Sequence, residues 1–220
     1  MKTRPAEIEN GSMAIIRAEL TARGVTLPPE NAAVILRCIH ASADFDYAEN
    51  LRFTPGAVSA AVAALRRGAQ IVTDTNMALA GISCPGLQRL GGAAHCFMAD
   101  GRIAEAAKKQ GSTRAVAAMD WAAEHHPTAI LAIGNAPTAL LRLAEKIEAG
   151  LRPALVIGVP VGFVNVAESK AQVLAACEKC GVPAIVALGR KGGSSIAAAV
   201  CNALIYTAAD MLDPKERGWS

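Results

Sequence analysis

Along the chain, short runs of consecutive apolar residues alternate with longer stretches in which apolar residues return every three or four positions. The runs cover residues 70–73, 94–98, 129–133, 154–157 and 184–188, most of them bounded by Gly, Pro or Asp. A short run apolar on both faces and closed by turn residues is the pattern of a strand buried in a parallel sheet. The stretches between them are helical in period. Residues 31–41 place Val34, Ile35, Cys38 and Ile39 on one stripe, and residues 55–67 are Ala-rich and stop at Gly68. Residues 112–124, 136–149, 167–179 and 194–211 continue the series. Strands and helices in alternation predict right-handed crossovers with helices on both faces of the sheet. The expected architecture is one domain over residues 1–220, a three-layer α/β/α fold with a five-stranded, parallel, flavodoxin-like sheet in residues 70–220. Residues 1–69 are read as a helical N-terminal part, two helices and a linker without a strand, that packs outside the sheet or reaches a partner subunit.

Composition narrows the class. Of 220 residues, 52% are hydrophobic and only 4% aromatic, which suits close helix-on-sheet packing better than a β-sandwich. The net charge of +3 is small and the basic residues are scattered, so no nucleic-acid partner is expected. The polar first ten residues lack the apolar segment of a signal peptide, and cytoplasm is the expected compartment. The uncharged window 192–209 contains Ser194, Ser195 and Asn202, and reads as a buried helix rather than a membrane span. Six cysteines are dispersed, and Cys177-Glu178-Lys179-Cys180 is a lone CxxC at the expected end of a helix. A zinc site needs two more ligands at matching spacing, so the pair is read as packing and no metal site is expected. No GxGxxG, GK[ST] or GxSxG pattern occurs, which argues against NAD, ATP and serine-hydrolase chemistry.

In parallel sheets, ligands sit beyond the carboxyl ends of the strands. The segments there are rich in Gly, Asn, Ser and Thr: Asp74-Thr75-Asn76, Gly134-Asn135-Ala136-Pro137, Gly158-Val159-Pro160-Val161-Gly162-Phe163 and Gly189-Arg190-Lys191-Gly192-Gly193-Ser194. The last opens a helix with Arg190 and Lys191 beside free N–H groups, an anion site by charge and dipole. Asn135 can cap the following helix, and Gly111-Ser112-Thr113-Arg114 forms a third start with a cation attached. Three such starts suggest a ligand carrying several carboxylates or phosphates. Of the four histidines, His95 lies in a strand run and His125-His126 at a helix end. His40 borders an apolar stripe and precedes Asp44 and Asp46. On position alone it fits a core histidine better than a catalyst.

Several strings together are similar to the precorrin-8X and cobalt-precorrin-8 methylmutases of cobalamin biosynthesis. They are Ser12-Met13-Ala14-Ile15-Ile16-Arg17-Ala18-Glu19, Ile39-His40, Ile71-Val72-Thr73-Asp74-Thr75-Asn76-Met77, Ala132-Ile133-Gly134-Asn135-Ala136-Pro137-Thr138-Ala139-Leu140, Gly158-Val159-Pro160-Val161-Gly162-Phe163-Val164, Glu168-Ser169-Lys170 and Gly189-Arg190-Lys191-Gly192-Gly193-Ser194. They occur in family order over nearly the whole chain. The resemblance implies a flavodoxin-like fold, a homodimer with the tetrapyrrole substrate near the subunit interface, and migration of a methyl group from ring carbon 11 to carbon 12 without a cofactor. It puts the acid histidine at His40 and a substrate-contacting serine at Ser12. Ala-Ser-Ala-Asp-Phe-Asp after His40 resembles the cobalt-handling members, and Ala115 stands where a Ser is expected.

The expected chemistry agrees with the residues. A methyl shift around a conjugated ring needs a proton delivered to the macrocycle, a task suited to His near neutral pH. The many carboxylate arms of the substrate would engage Ser12, Arg17, Thr75, Arg114, Asn135, Lys191, Gly193 and Ser194. Two rivals stand beside this reading. One is a non-catalytic corrinoid carrier and the other a nucleotide- or phosphosugar-binding flavodoxin-like enzyme.

Overall fold

All five apolar runs become parallel strands, and a sixth strand joins them. In the computed structural model, which describes residues 4–218, the strands are β1 (Leu51–Phe53), β2 (Ile71–Thr73), β3 (Ala94–Cys96), β4 (Ile130–Ile133), β5 (Leu155–Gly158) and β6 (Ala184–Ala187). Across the sheet they stand in the order β1-β6-β5-β4-β2-β3. Every pair from β3 to β6 is parallel, whereas β1 runs antiparallel to β6, with Leu51 opposite Ala187 and Phe53 opposite Ile185. The expectation of a five-stranded, wholly parallel sheet is corrected accordingly: the sheet is six-stranded and mixed. Leu-Arg-Phe is too short to show a period, which hid β1 in the supposedly strand-free first 69 residues. Thr54 extends the pairing, its Oγ1 accepting from the N–H of Ala184 at 2.8 Å. The N-terminal part therefore enters the sheet and covers an edge that would otherwise expose unpaired backbone groups.

The helices are α1 (Pro5–Ala22), α2 (Ala32–Ser42), α3 (Tyr47–Asn50), α4 (Ala57–Arg66), α5 (Asn76–Gly81), α6 (Cys84–Arg89), α7 (Gly101–Gln110), α8 (Arg114–His125), α9 (Pro137–Glu148), α10 (Val166–Cys180) and α11 (Ser194–Ala208), followed by a 3-10 turn at Pro214–Arg217. Strand side chains alternate between two cores, as the period of two requires. Ile71, Ile130, Leu155 and Ile185 pack with α2, α4 and α11, while Val72, Leu131, Val156 and Val186 pack with α7, α8, α9 and α10. Buried on almost every side, α11 lies against α2, α4 and α5. That position accounts for its uncharged composition, and no helix among the described residues is long and apolar enough to cross a membrane. Cys177 is buried in α10, which ends at Gly181 in the left-handed conformation, as expected for a packing role. His95 donates to or accepts from Gln70 at 2.9 Å and stacks on Phe97 and His126.

Winding reverses between β2 and β4, because β3 lies outside β2 while β5 and β6 follow β4 on the other side. The loops that leave β2 and β4 meet at this switch point, where an open α/β sheet ordinarily has its ligand crevice.

Candidate active site

The switch point is closed by the chain itself. One oxygen of the Asp74 carboxylate, just beyond β2, accepts from the N–H of Gly134 at 2.8 Å. Its other oxygen accepts from Asn135 at 2.9 Å and Ala136 at 2.7 Å. Burial pushes the Asp74 carboxyl up against the opposing pull of these three donors. Backbone N–H groups expected to hold a ligand anion are thus already occupied. Ala136, not Asn135, is the N-cap of α9, and the Asn135 side chain is exposed. A phosphate at this nest would displace a buried carboxylate, which removes support for the nucleotide reading.

The remaining loops lock onto this knot. Thr75 caps α5 by accepting from the N–H of Ala78 at 3.0 Å, and its hydroxyl lies 2.8 Å from that of Ser194. Gly193, the N-cap of α11, donates its N–H to the carbonyl of Val159 at 2.8 Å. Gly192 fits only as glycine: a Cβ there would stand 2.1 Å from the Val159 carbonyl oxygen. Beneath them Lys170, wholly buried, donates to the carbonyls of Gly189 at 2.9 Å and Lys191 at 2.8 Å. Burial draws its ammonium down to about 8. Lys170 was visible in sequence only as part of a motif. Its signal was position: with Val166, Ser169 and Val173 it lies on the buried stripe of α10, where a lysine must satisfy its charge internally.

His40 stands apart from the sheet edge but is tied to it. It falls in the last turn of α2, which ends at Ala43 in a left-handed conformation. An Asx turn follows, Asp46 N–H donating to Asp44 Oδ1 at 3.0 Å. Lys191 then bridges both carboxylates, at 2.7 Å to Asp44 and 2.5 Å to Asp46. The loop after His40 and the loop after β6 are joined by that bridge. It holds Asp44 below the usual carboxylate range and raises Lys191. His40 opens onto a cleft of about 320 Å³ between α1 and α2, lined also by Ser12, Ile15, Ile16, Glu19, Ile39 and Phe45. Partial desolvation and the guanidiniums of Arg37 and Arg217 hold its imidazole below the ordinary value, against the pull of Glu9.

The expected site residues thus fall into groups. Ser12 and His40 share the cleft, and Ser12 also donates to the carbonyl of Ile8 at 2.9 Å. Thr75, Asn135, Gly193 and Ser194 gather at the carboxyl edge of the sheet, with Lys191 between the two groups. Arg17 lines a separate hollow with Leu20, Thr21 and Leu36, not the His40 cleft. Arg114 is exposed at the start of α8, where Thr113 Oγ1 lies 3.3 Å from that of Thr138 at the start of α9. Ala115 is buried in the second core and offers packing there. The cationic head of Lys191 is engaged by two carboxylates, so a ligand carboxylate would have to share or displace them.

The fold and the site define an α/β protein with an imidazole at an open cleft and polar loops gathered at one sheet edge. Similarity makes the class definite. Residues 7–207 match the family model described as Precorrin-8X methylmutase. The cobalt-precorrin-8 methylmutase of Salmonella typhimurium is 46% identical over 179 residues, covering 81% of this chain and 82% of the relative. The precorrin-8X methylmutase of Pseudomonas aeruginosa is 42% identical over 197 residues, covering 88% and 91%. The crystal structure of precorrin-8x methyl mutase from Thermus thermophilus superimposes with a TM-score of 0.82 at 41% identity, covering 92% of this chain and 98% of that one. The chain belongs to the precorrin-8X methylmutase family, isomerases of cobalamin biosynthesis.

Proposed function

We propose that this isomerase moves a methyl group from ring carbon 11 to carbon 12 of cobalt-precorrin-8, with His40 delivering a proton to the macrocycle. The observation that carries the reading is the shared cleft of Ser12 and His40, joined through Lys191 to the loops at the carboxyl edge of the sheet. Partial desolvation and nearby guanidiniums hold the His40 imidazole below its ordinary value, and anionic groups arriving beside it favour the protonated ring. Substrate carboxylates supply those groups. Arg17, Arg114 and Lys191 bind the arms by charge-assisted hydrogen bonds, and Ser12, Thr75, Asn135, Gly193 and Ser194 contribute polar contacts. Apolar faces at Ile15 and Ile16 meet the ring. A methyl shift around a conjugated ring needs no redox cofactor, and cobalt is part of the substrate. The working unit is a homodimer, and cytoplasm is its compartment.

The expectation is tested with metal-free and cobalt-containing precorrin-8 in separate reactions, followed by absorption spectrum. Conversion of the bound spectrum to that of the conjugated product, faster with cobalt, is expected. A bound spectrum that never converts with either substrate would instead favour a corrinoid carrier. Faster conversion of the metal-free compound would reverse the substrate preference alone.

A further inference from the structure

The cleft that holds His40 has one aromatic wall. Phe45, one of only four phenylalanines in the chain, lines it beside Ser12, Ile15, Ile16 and His40. Its side chain is half-buried and packs against the core that α2 and α11 share. The segment that carries it is turned sharply. Ala43, which also lines the cleft, leaves α2 in the left-handed conformation with φ 55°, where glycine is usual. The N–H of Asp44 then donates to Ser42 Oγ at 3.2 Å, and that hydroxyl donates to the Cys38 carbonyl at 2.7 Å.

Two ionic clamps hold the ring. The Arg23 guanidinium lies over its face, 4.2 Å from the centroid. Arg23 is tied in turn to Glu19, which lines the same cleft. On either side of Phe45 in sequence stand Asp44 and Asp46, whose carboxylates meet on Lys191 at 2.7 Å and 2.5 Å. The backbone of Lys191 is itself fixed, its carbonyl accepting from the buried Lys170 at 2.8 Å. The side chains of Arg23 and Lys191 are 50% and 49% exposed. Ion pairs so exposed add little to stability, so what they contribute here is position. An ammonium has three N–H donors, so Lys191 can hold both carboxylates and still meet a substrate arm.

We propose that Phe45 is a specificity-determining residue, its clamped ring forming the wall against which the substrate's conjugated macrocycle rests within reach of His40. The inference rests on the reading of this cleft as the substrate site, but not on His40 being the acid. A broad, apolar, conjugated face suits an aromatic side chain. A wall met equally by substrate and transition state acts on KM and leaves kcat alone.

The measurement compares Phe45→Leu with Phe45→Tyr. Leu keeps an apolar side chain without the π-face, and Tyr keeps the face. Binding is read by absorption titration with the methyl-shifted product, which binds without turnover. KM and kcat are read with cobalt-precorrin-8. Phe45→Leu should weaken product binding and raise KM by about fivefold or more, with kcat within about twofold of wild type. Phe45→Tyr should stay within about twofold throughout. Arg23→Gln, which removes the cation over the ring, should raise KM by a smaller factor, and Arg23→Lys should restore it. If Phe45→Leu does not fold by circular dichroism, Phe45→Met takes its place with the same expectation. Unchanged binding and KM in the non-aromatic variant, equal losses in Leu and Tyr, a fall in kcat with KM unmoved, or Arg23→Gln at wild-type KM would overturn the proposal. Failure of the catalytic reading looks different. A His40→Asn enzyme that still turns over, beside a Phe45→Leu enzyme that binds poorly, would uphold Phe45 and reject His40 as the acid.

Discussion

At the scale of the residue, His40 shows what position in sequence can and cannot convey. Its place at the border of an apolar stripe was visible, and its partners were not: Arg37 is local, but Glu9 and Arg217 arrive through tertiary packing. Acid catalysis needs the protonated ring, whose population falls as pH rises through its pKa. Desolvation, Arg37 and Arg217 set that pKa low in the empty site. Because kcat/KM reports the free enzyme and kcat the complex, kcat/KM should decline at lower pH than kcat does. A kcat/KM that rises with pH across the same range would assign His40 the opposite proton role. Asp74 and Lys170 were quoted as motif members only, since carboxylate-to-backbone and ammonium-to-carbonyl contacts join segments tens of residues apart. Lys170→Met should keep the fold but leave two carbonyls without their donor. A fall in kcat/KM of about tenfold or more is expected, since small misplacements are costly in catalysis. Steady-state kinetics alongside circular dichroism would check it.

Elements with a strong period were the legible ones. The five parallel strands and α2, α4, α8, α9, α10 and α11 all follow from apolar spacing. By contrast α1 was missed, because Asn10-Gly11-Ser12 in its middle reads as a turn and its buried face includes Glu9. Packing on α2 overrides those weak local preferences. β1 was too short to carry a pattern, and the helix start expected to be free at Asn135 proved to be occupied by Asp74, while the N–H of Gly193 is taken by the carbonyl of Val159. The loop between β6 and α11 is the element on which the site depends most. Gly192→Ala would drive a methyl into the Val159 carbonyl. A loss of about 2–4 kcal/mol in urea unfolding is expected, together with weaker substrate binding. Unchanged stability would mean that the loop relaxes freely and does not fix Lys191.

For the whole molecule, α1 and the 3-10 turn at Pro214–Arg217 meet through charge. Desolvation pushes the Glu9 carboxyl up, but the hydrogen bonds and charge of Arg217 and Arg37 outweigh it and leave it below the ordinary value. Its contribution to stability is therefore present above the unfolded-state pKa and lost as pH falls through the lower folded one. Glu9→Gln should cost about 3–5 kcal/mol near neutrality by removing the buried carboxylate that the guanidiniums of Arg37 and Arg217 share. The difference from wild type should shrink in acid, as read by urea midpoints across pH. Assembly is expected from the exposed apolar side chains Met77, Phe163 and Val164, which stand 74%, 81% and 77% exposed near the carboxyl edge of the sheet. Light scattering should give the mass of a dimer, and a fully active monomer would contradict a shared site.

His40→Asn tests the mechanism most directly. The substitution keeps a hydrogen-bonding side chain of similar size and removes the titrating proton, while the cationic contacts remain. The variant should still bind cobalt-precorrin-8 with affinity near wild type, seen as the bound absorption spectrum, yet methyl migration should fall by at least about 10²-fold. Product formation at near wild-type rate would return His40 to a structural histidine and place the acid elsewhere.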